Sequence, residues 1–107
     1  MADTLLAQYT DCNSGSAFDL VPANTAVITV LSISICNISA TDADFDLYYR
    51  DASDSNFRIY NNQSVPSKST FIHNSKIILP SQCELVLDQS TTSVDALHVV
   101  TSYLNQT

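Results

Sequence analysis

Apolar and polar residues alternate with a period of two along most of this chain. The longest alternating run lies at 26–38, and a shorter one lies at 44–49. Because successive side chains of a β-strand point to opposite faces, this period predicts strands that are buried on one face. In the longest run, one predicted face carries Thr29, Leu31, Ile33 and Ile35, and the other carries Val30, Ser32, Ser34 and Cys36.

The three prolines of the chain stand in three copies of one short phrase, which are Val21–Ile28, Val65–Ile72 and Leu79–Val86. Each copy begins with an apolar residue and a proline and ends with two apolar residues. Proline fixes φ and lacks an N–H, and the residue before it is pushed into an extended conformation. Each phrase therefore predicts a strand end, a tight turn and a new strand. The prolines are 44 and then 14 residues apart, and this unequal spacing excludes a solenoid repeat.

These patterns predict a single all-β domain. Short strands with turn signals between them are typical of an antiparallel sandwich or barrel. The chain has one glycine in 107 residues, whereas two-residue hairpin turns usually recruit glycine. Longer loops favour connections that cross between sheets. We therefore predict one antiparallel β-sandwich, jelly-roll-like or Greek-key, with about eight short strands at 17–107, and an N-terminal arm or edge segment at 1–16.

The charge of the chain narrows the choice of partners. Eleven acidic residues stand against four basic ones, which gives a net charge of −7. Such a surface repels phosphate backbones and anionic lipids, so we expect no nucleic acid and no membrane as a partner. A basic protein surface suits this charge better, although a net charge of this size also serves solubility alone.

The cysteines indicate a reducing compartment. Cys12, Cys36 and Cys83 are an odd number, and none has C-x-x-C spacing, so a disulfide framework is not expected. The first residues lack the basic and apolar segments of a signal peptide. We expect the protein to fold in a cytoplasm.

No residue pattern predicts catalysis, a metal site or a cofactor. Asp42, Asp44 and Asp46 have the spacing that opens a calcium loop, but the sixth-position glycine and the closing glutamate are missing,. The solvated face of a strand explains the same period. His73 and His98 have no second ligand at metal-binding spacing,, and the cysteines have no neighbouring base that would activate them. We therefore expect a protein that is not an enzyme.

The acidic and tyrosine-rich middle of the chain is the candidate interaction surface. It consists of Asp42, Asp44, Asp46, Tyr48, Asp51, Asp54 and Tyr60. Tyr60 is predicted to share a strand face with Arg58. Tyrosines beside polar loops can bind a carbohydrate by stacking, but packing in the core and at the rim of a sandwich explains the same residues.

The succession of elements between residues 17 and 104 resembles the small β-sandwich proteins of tailed-bacteriophage virions. The resemblance lies in a proline turn, a Val, Ile and Ser strand that ends in Cys36-Asn37, an amphipathic strand, two further proline turns and a Leu and Val strand. The sequence departs from the commonest pattern after Leu79-Pro80, where Ser81-Gln82 stands in place of glycine.

This resemblance implies a virion protein that is assembled in the host cytoplasm. In such proteins the module is a capsid decoration (cement) protein, or a tail, neck or fibre component. The implied partners are the major capsid protein or other virion proteins, together with further copies of the chain, for example in a trimer. A carbohydrate-binding module for host adhesion is a further alternative.

Overall fold

The computed structural model describes residues 3–12, 17–89 and 97–106, which form nine β-strands. The strands are β1 (Asp3–Cys12), β2 (Ala17–Val21), β3 (Val27–Asn37), β4 (Ala43–Arg50), β5 (Asn56–Val65), β6 (Thr70–His73), β7 (Ile77–Leu79), β8 (Glu84–Asp88) and β9 (Leu97–Gln106). Within these ranges the chain forms no helix that is long and apolar enough to cross a membrane.

The strands form two antiparallel sheets that pack face to face. Sheet A has the order β1-β9-β3-β6, with β7 also paired to β3, and sheet B has the order β2-β8-β4-β5. The pairs β1–β9, β2–β8, β3–β6 and β4–β5 are nested within one another along the chain, which is the connectivity of a jelly roll. The prediction of an antiparallel sandwich is confirmed.

Strands β6 and β7 behave as one interrupted strand. β6 pairs with Ile33–Cys36 of β3, and β7 pairs with Ile28–Val30 of the same strand. Residues 74–76 separate the two pieces. If β6 and β7 are counted as one strand position, the sandwich has eight strand positions, four in each sheet.

All three proline phrases join one sheet to the other. They connect β2 to β3, β5 to β6, and β7 to β8. The apolar residue before each proline is buried, whereas the proline itself is exposed. In the second and third phrases the N–H groups of Ser69 and Cys83 donate to the carbonyls of Pro66 and Pro80, both at 3.1 Å. The phrases therefore end a strand in the core and turn the chain across the edge of the sandwich.

Two of these turns hold a residue in the left-handed region. Lys68 has φ of 61° and Gln82 has φ of 69°. This conformation is energetically unfavourable for a residue with a Cβ, but glycine adopts it readily. The position at which glycine was missing from the sequence pattern is thus a position that requires positive φ.

The core lies between the sheets and is closed by aromatic side chains. Phe45 of β4 is fully buried and contacts the rings of Tyr60 and Phe71 edge-on, with centroids 6.3 and 5.6 Å away. Aromatic pairs prefer this geometry because the positive edge of one ring meets the negative face of the other. The contact joins β4 and β5 of sheet B to β6 of sheet A.

The predicted faces of the longest strand are wrong in its first half. Ile28 and Val30 are buried, and so are Ile33 and Ile35. A shift in the register of β3 and β9 between Val30 and Ser32 inserts one extra residue. Such a bulge reverses the alternation from that point, so Thr29 and Leu31 do not share the buried face of Ile33. The period of two continues on both sides of the bulge, which makes the bulge invisible in the sequence.

The N-terminal segment contributes the edge of sheet A. β1 pairs with β9 over ten residues, from Asp3 opposite Gln106 to Cys12 opposite Leu97, without a register shift. Residues 13–16, which complete the predicted segment, lie outside the described ranges.

Candidate interaction surfaces

The predicted acidic surface is divided by the length of β4. Asp42 precedes this strand and accepts a hydrogen bond from the N–H of Ser67 at 2.9 Å. Asp51 follows the strand and accepts from the N–H groups of Ser53 and Ser55 at 2.9 and 3.0 Å. A strand of eight residues is about 26 Å long, so these carboxylates lie at opposite ends of the sandwich. Asp51 thus organises its own loop, whereas Asp42 holds the turn that follows β5.

The other acidic residues of the predicted set lie along the strand and in its following loop. Asp44 and Asp46 are half-buried, and Asp54 is exposed. Asp46 accepts from the N–H of Asn62 at 2.7 Å, and Asp54 has φ of 61°. These carboxylates do not converge on one point of the surface.

Tyr60 lies on the inner side of sheet B. Its ring packs edge-on against Phe71, with centroids 5.2 Å apart, and its hydroxyl is 2.6 Å from Nδ1 of His73. Arg58 lies on the outer side, against the ring of Tyr48, so the prediction that Arg58 and Tyr60 share a face is wrong. The register of β4 and β5 shifts between Leu47 and Tyr48, and the extra residue turns Tyr60 inward.

The outer face of sheet B is a charged face whose groups contact one another. Tyr48 is only 3% exposed because the guanidinium groups of Arg50 and Arg58 lie 5.8 and 5.4 Å from the centre of its ring. Nη2 of Arg50 also donates to the Tyr48 hydroxyl at 3.2 Å. Nε of Arg58 lies 3.6 Å from Oδ2 of Asp46. The two arginines thus cover the tyrosine and partly neutralise the acidic residues around it.

Two carboxyl groups meet at the far side of this charged face. A hydrogen bond with Asp19 of β2 raises the pKa of Glu84 of β8, and burial and the charge of Asp19 raise it further. Arg50 acts in the opposite direction. The contact with Asp19 therefore favours the protonated form of Glu84.

The outer face of sheet A, which we term the apolar face, has a different composition. Strand pairing forms two rows of side chains across it, Leu5, Leu104, Thr29 and Ile78 in one row and Tyr9, Val100, Ser34 and Ile72 in the other. Six of the nine exposed large hydrophobic residues among the described residues lie on this face, namely Leu5, Tyr9, Val27, Ile72, Ile78 and Val100. Tyr9 is 79% exposed and Leu5 is 70% exposed.

Charge on the apolar face is confined to one end. Among the described side chains of this face, the ionisable acid and base are Asp11 and His98, with Oδ1 and Nε2 3.8 Å apart. Together with Tyr9 and Val100 they line a shallow depression of about 390 Å³. Contiguous exposed apolar surface of this kind marks sites of interaction.

Few of the described side chains are suited to catalysis or metal binding. Burial, with a smaller contribution from Asp11, raises the pKa of the Cys12 thiol to about 12, so this sulfur stays protonated. Cys36 and Cys83 are also free thiols. No group of three or more His, Cys, Asp or Glu residues within the described ranges is placed to hold a metal ion.

The sequence contained one signal for the apolar face. Ile72 and Ile78 stand in short apolar runs that are equally typical of a buried strand. The segments 26–38 and 97–106, however, contain no Asp, Glu, Lys or Arg. Two long strands without Asp, Glu, Lys or Arg, next to each other in one sheet, leave the middle of its outer face without these charged residues.

Comparison with known proteins identifies the fold. No protein-family model and no curated protein matches the sequence. The structure matches a chain of the acid-stable capsid structure of Helicobacter pylori bacteriophage KHP30 with a TM-score of 0.57 and 13% identity, over 100% of this chain and 89% of that chain. It also matches a chain from the disulfide-linked pili of Bacillus endospore appendages, with a TM-score of 0.55, 7% identity, and 98% and 87% coverage.

A third match is the vertex protein P5 of PRD1. The TM-score is 0.53 and the identity is 9%, over 97% of this chain and 72% of that chain. At these identities the similarity shows a shared sandwich fold. The fold occurs in two virion proteins and in a surface appendage, all of which are parts of assemblies.

Proposed function

We propose that this chain is a non-enzymatic structural protein of a virion, and that it acts as a capsid decoration (cement) protein. The observation that carries the proposal is the full-length match in fold to the chain of the KHP30 capsid structure, of which it covers 89%. The match extends over most of a chain from a virion structure. The resemblance in sequence pattern to virion sandwiches supports the same role.

The mechanism is adhesion through the apolar face. Burial of exposed apolar surface contributes about 25 cal/mol per Å², and this face offers Leu5, Tyr9, Ile72 and Ile78 at 59 to 79% exposure. When the apolar face is docked on another protein, the charged face of sheet B stays in solvent. Many copies on one shell add their contacts through multivalency, so each contact can be modest.

A tail, neck or fibre module is the second candidate. The match to the pilus chain, at a TM-score of 0.55, favours it because that chain belongs to a filament. The same apolar face then contacts neighbouring subunits of a filament or ring. Copy number separates the two roles, since a decoration protein follows the lattice of the head and a tail protein follows the ring symmetry of the tail.

A carbohydrate-binding role receives the least support. It relied on stacking by Tyr48 and Tyr60, but Tyr48 is 3% exposed beneath two arginines and Tyr60 packs between the sheets. A glycan array with the isolated protein tests this role directly.

The decisive experiment uses particles with and without the protein. We expect purified particles to carry it in numbers that match the capsid lattice, and we expect heads assembled without it to lose their DNA at lower temperature or under osmotic shock. Adding the purified protein back to such heads should restore their resistance. Heads that are equally stable without the protein would exclude the cement role, and labelling confined to the tail would favour the second candidate.

A further inference from the structure

The described sheets have four edges, and three of them carry features that block further pairing. The β2 edge has five residues and a register shift between Asp19 and Val21. The β5 edge has two register shifts against β4 and positive φ at Asn62. The edge made by β6 and β7 is interrupted at residues 74–76 and carries Lys76. Short, bulged and charged edges are the usual protection against pairing with another chain.

The β1 edge lacks this protection. It runs for ten residues without a register shift and contains no proline, lysine or arginine. Its outward side chains Leu5 and Tyr9 are 70% and 79% exposed. A long, regular and apolar edge presents a row of backbone groups to an added strand.

We propose that the β1 edge pairs with the β1 edge of a second copy of this chain, antiparallel and about a two-fold axis at Ala7. The two copies of sheet A then form one continuous sheet of eight strand positions. Because the axis is perpendicular to the sheet, both apolar faces lie on the same side. The pairing goes beyond the proposed function and does not depend on it.

The sequence of β1 favours a second copy as the occupant and sets the register. With the axis at Ala7, Leu5 of one copy lies opposite Tyr9 of the other, and this pair occurs twice. The nearest alternative registers that keep each side chain on the same face shift one strand by two residues along the other. They place Leu5 opposite Ala7 or Asp11 instead. Aromatic and aliphatic residues that face each other across strands stabilise a sheet.

The rows on the apolar face continue across such an axis. The row that ends in Leu5 joins the row that ends in Tyr9 of the second copy, so Ile78 of one copy and Ile72 of the other lie at the two ends of one apolar line. Asp3 lies opposite Asp11 at each end of the paired strands. Within each copy, Nε2 of His98 lies 3.8 Å from Oδ1 of Asp11. The charged residues of sheet B remain on the opposite side of the joined sheet.

Disulfide trapping tests the register. Residues directly opposite in an antiparallel pair have Cα atoms about 4.5 to 5.5 Å apart, which suits a disulfide. In a background with Cys36→Ser and Cys83→Ser, we expect Ala7→Cys to form a covalent dimer with oxidised glutathione at least about tenfold faster than Thr4→Cys. In the proposed pair, the two copies of residue 4 are about 20 Å apart along the strand. Equal rates for the two variants would overturn the proposal.

Charged variants test the pairing without a new cysteine. Leu5→Lys and Tyr9→Lys change exposed side chains, so both proteins should keep the melting temperature of the parent but lose self-association in sedimentation equilibrium. Asn61→Lys, at an exposed position of the protected β5 edge, is the matched control and should associate like the parent. Unchanged association of Leu5→Lys and Tyr9→Lys would also overturn the proposal. Pairing in solution by a protein that no particle carries would refute the virion role and leave the pairing intact.

Discussion

The outer faces of the two sheets differ in how far their apolar and aromatic side chains are covered. On sheet B, Tyr48 is covered by Arg50 and Arg58, and the arginines lie beside acidic groups of the same face. On sheet A, Leu5 and Ile72 remain 70% and 62% exposed. An ordinary soluble protein has scattered exposed apolar residues, but it rarely concentrates them on one face.

The difference indicates that the two faces have different roles. The side chains of sheet B already bury each other, so their contacts stabilise the folded chain. The side chains of sheet A gain most of their possible burial only when another surface covers them. Substitutions on sheet B should therefore change the free energy of unfolding, and substitutions on sheet A should change association.

The largest effect should come from removing the tyrosine of sheet B. Tyr48→Ala deletes a buried ring and the support of two arginines, and we expect a loss of about 3 to 4 kcal/mol in the free energy of unfolding. Tyr48→Phe is the control, since it keeps the ring and removes only the hydrogen bond from Arg50, at a cost of about 1 kcal/mol. Urea denaturation measures both. A Tyr48→Ala protein of normal stability would show that this face does not stabilise the fold.

The next effect should appear on the apolar face and in binding. Ile72→Asp places a carboxylate on an exposed strand position, so the melting temperature should change little. Its binding to particles that lack the protein should weaken by about 100-fold, because docking buries an unpaired charge at a cost of roughly 3 kcal/mol. Asn61→Asp introduces the same group on β5 and should bind like the parent. Equal loss in both variants would mean that net charge, and not the face, controls binding.

A smaller effect should come from the turns that join the two faces. Gln82 has φ of 69°, so Gln82→Gly should raise the stability by up to about 1 kcal/mol. Ser81→Gly, at the neighbouring position, should lower the stability because glycine adds freedom to the unfolded chain without relieving strain. Thermal melts of the two variants should therefore move in opposite directions, and binding to particles should be unchanged in both. A lower melting temperature for Gln82→Gly would contradict this account of the turn.

The smallest effect should come from the carboxyl pair of sheet B. The pKa of Glu84 is raised in the folded state, so its stabilising contribution is present below the ordinary glutamate pKa and is lost as the pH rises through the raised pKa. Glu84→Gln should be more stable than the parent at neutral pH by a few tenths of a kcal/mol, since partly exposed charges interact weakly. The two proteins should converge in acid. Asp19→Asn should behave in the same way because it removes the main cause of the raised pKa of Glu84, and a constant difference at all pH values would contradict this account.

The sequence predicted the sandwich because alternation and proline turns depend on local chemistry. The three proline phrases were expected to start strands, and each one joins the two sheets. The bulge in β3 between Val30 and Ser32 was beyond prediction, since an inserted residue leaves the period of two intact on either side. The inward turn of Tyr60 has the same cause in β5.

The candidate surface was harder to predict than the fold. Acidic residues and tyrosines are ready candidates for an interaction surface in a sequence. In the structure, however, the length of β4 separates Asp42 from Asp51, and Tyr60 packs between the sheets. Ile72 and Ile78 gave no signal of their own, because an apolar residue in a short strand has the same composition whether it faces the core or a partner. Only the pairing of β6 and β7 with β3 shows that both isoleucines lie on the apolar face.

The position of β9 in sheet A has a consequence for synthesis of the protein. β9 lies between β1 and β3 and pairs with both, yet it follows them in the chain by about 60 residues or more. As the chain leaves the ribosome, β1 has no partner strand in sheet A, and β3 pairs along one edge only, with β6 and β7, until β9 emerges. Pairing over such separations is slow and leaves strand edges open. The nascent chain therefore carries β1 unpaired and one edge of β3 open until residues 97–106 are synthesised, and a chaperone that holds them during that interval should raise the yield of folded protein.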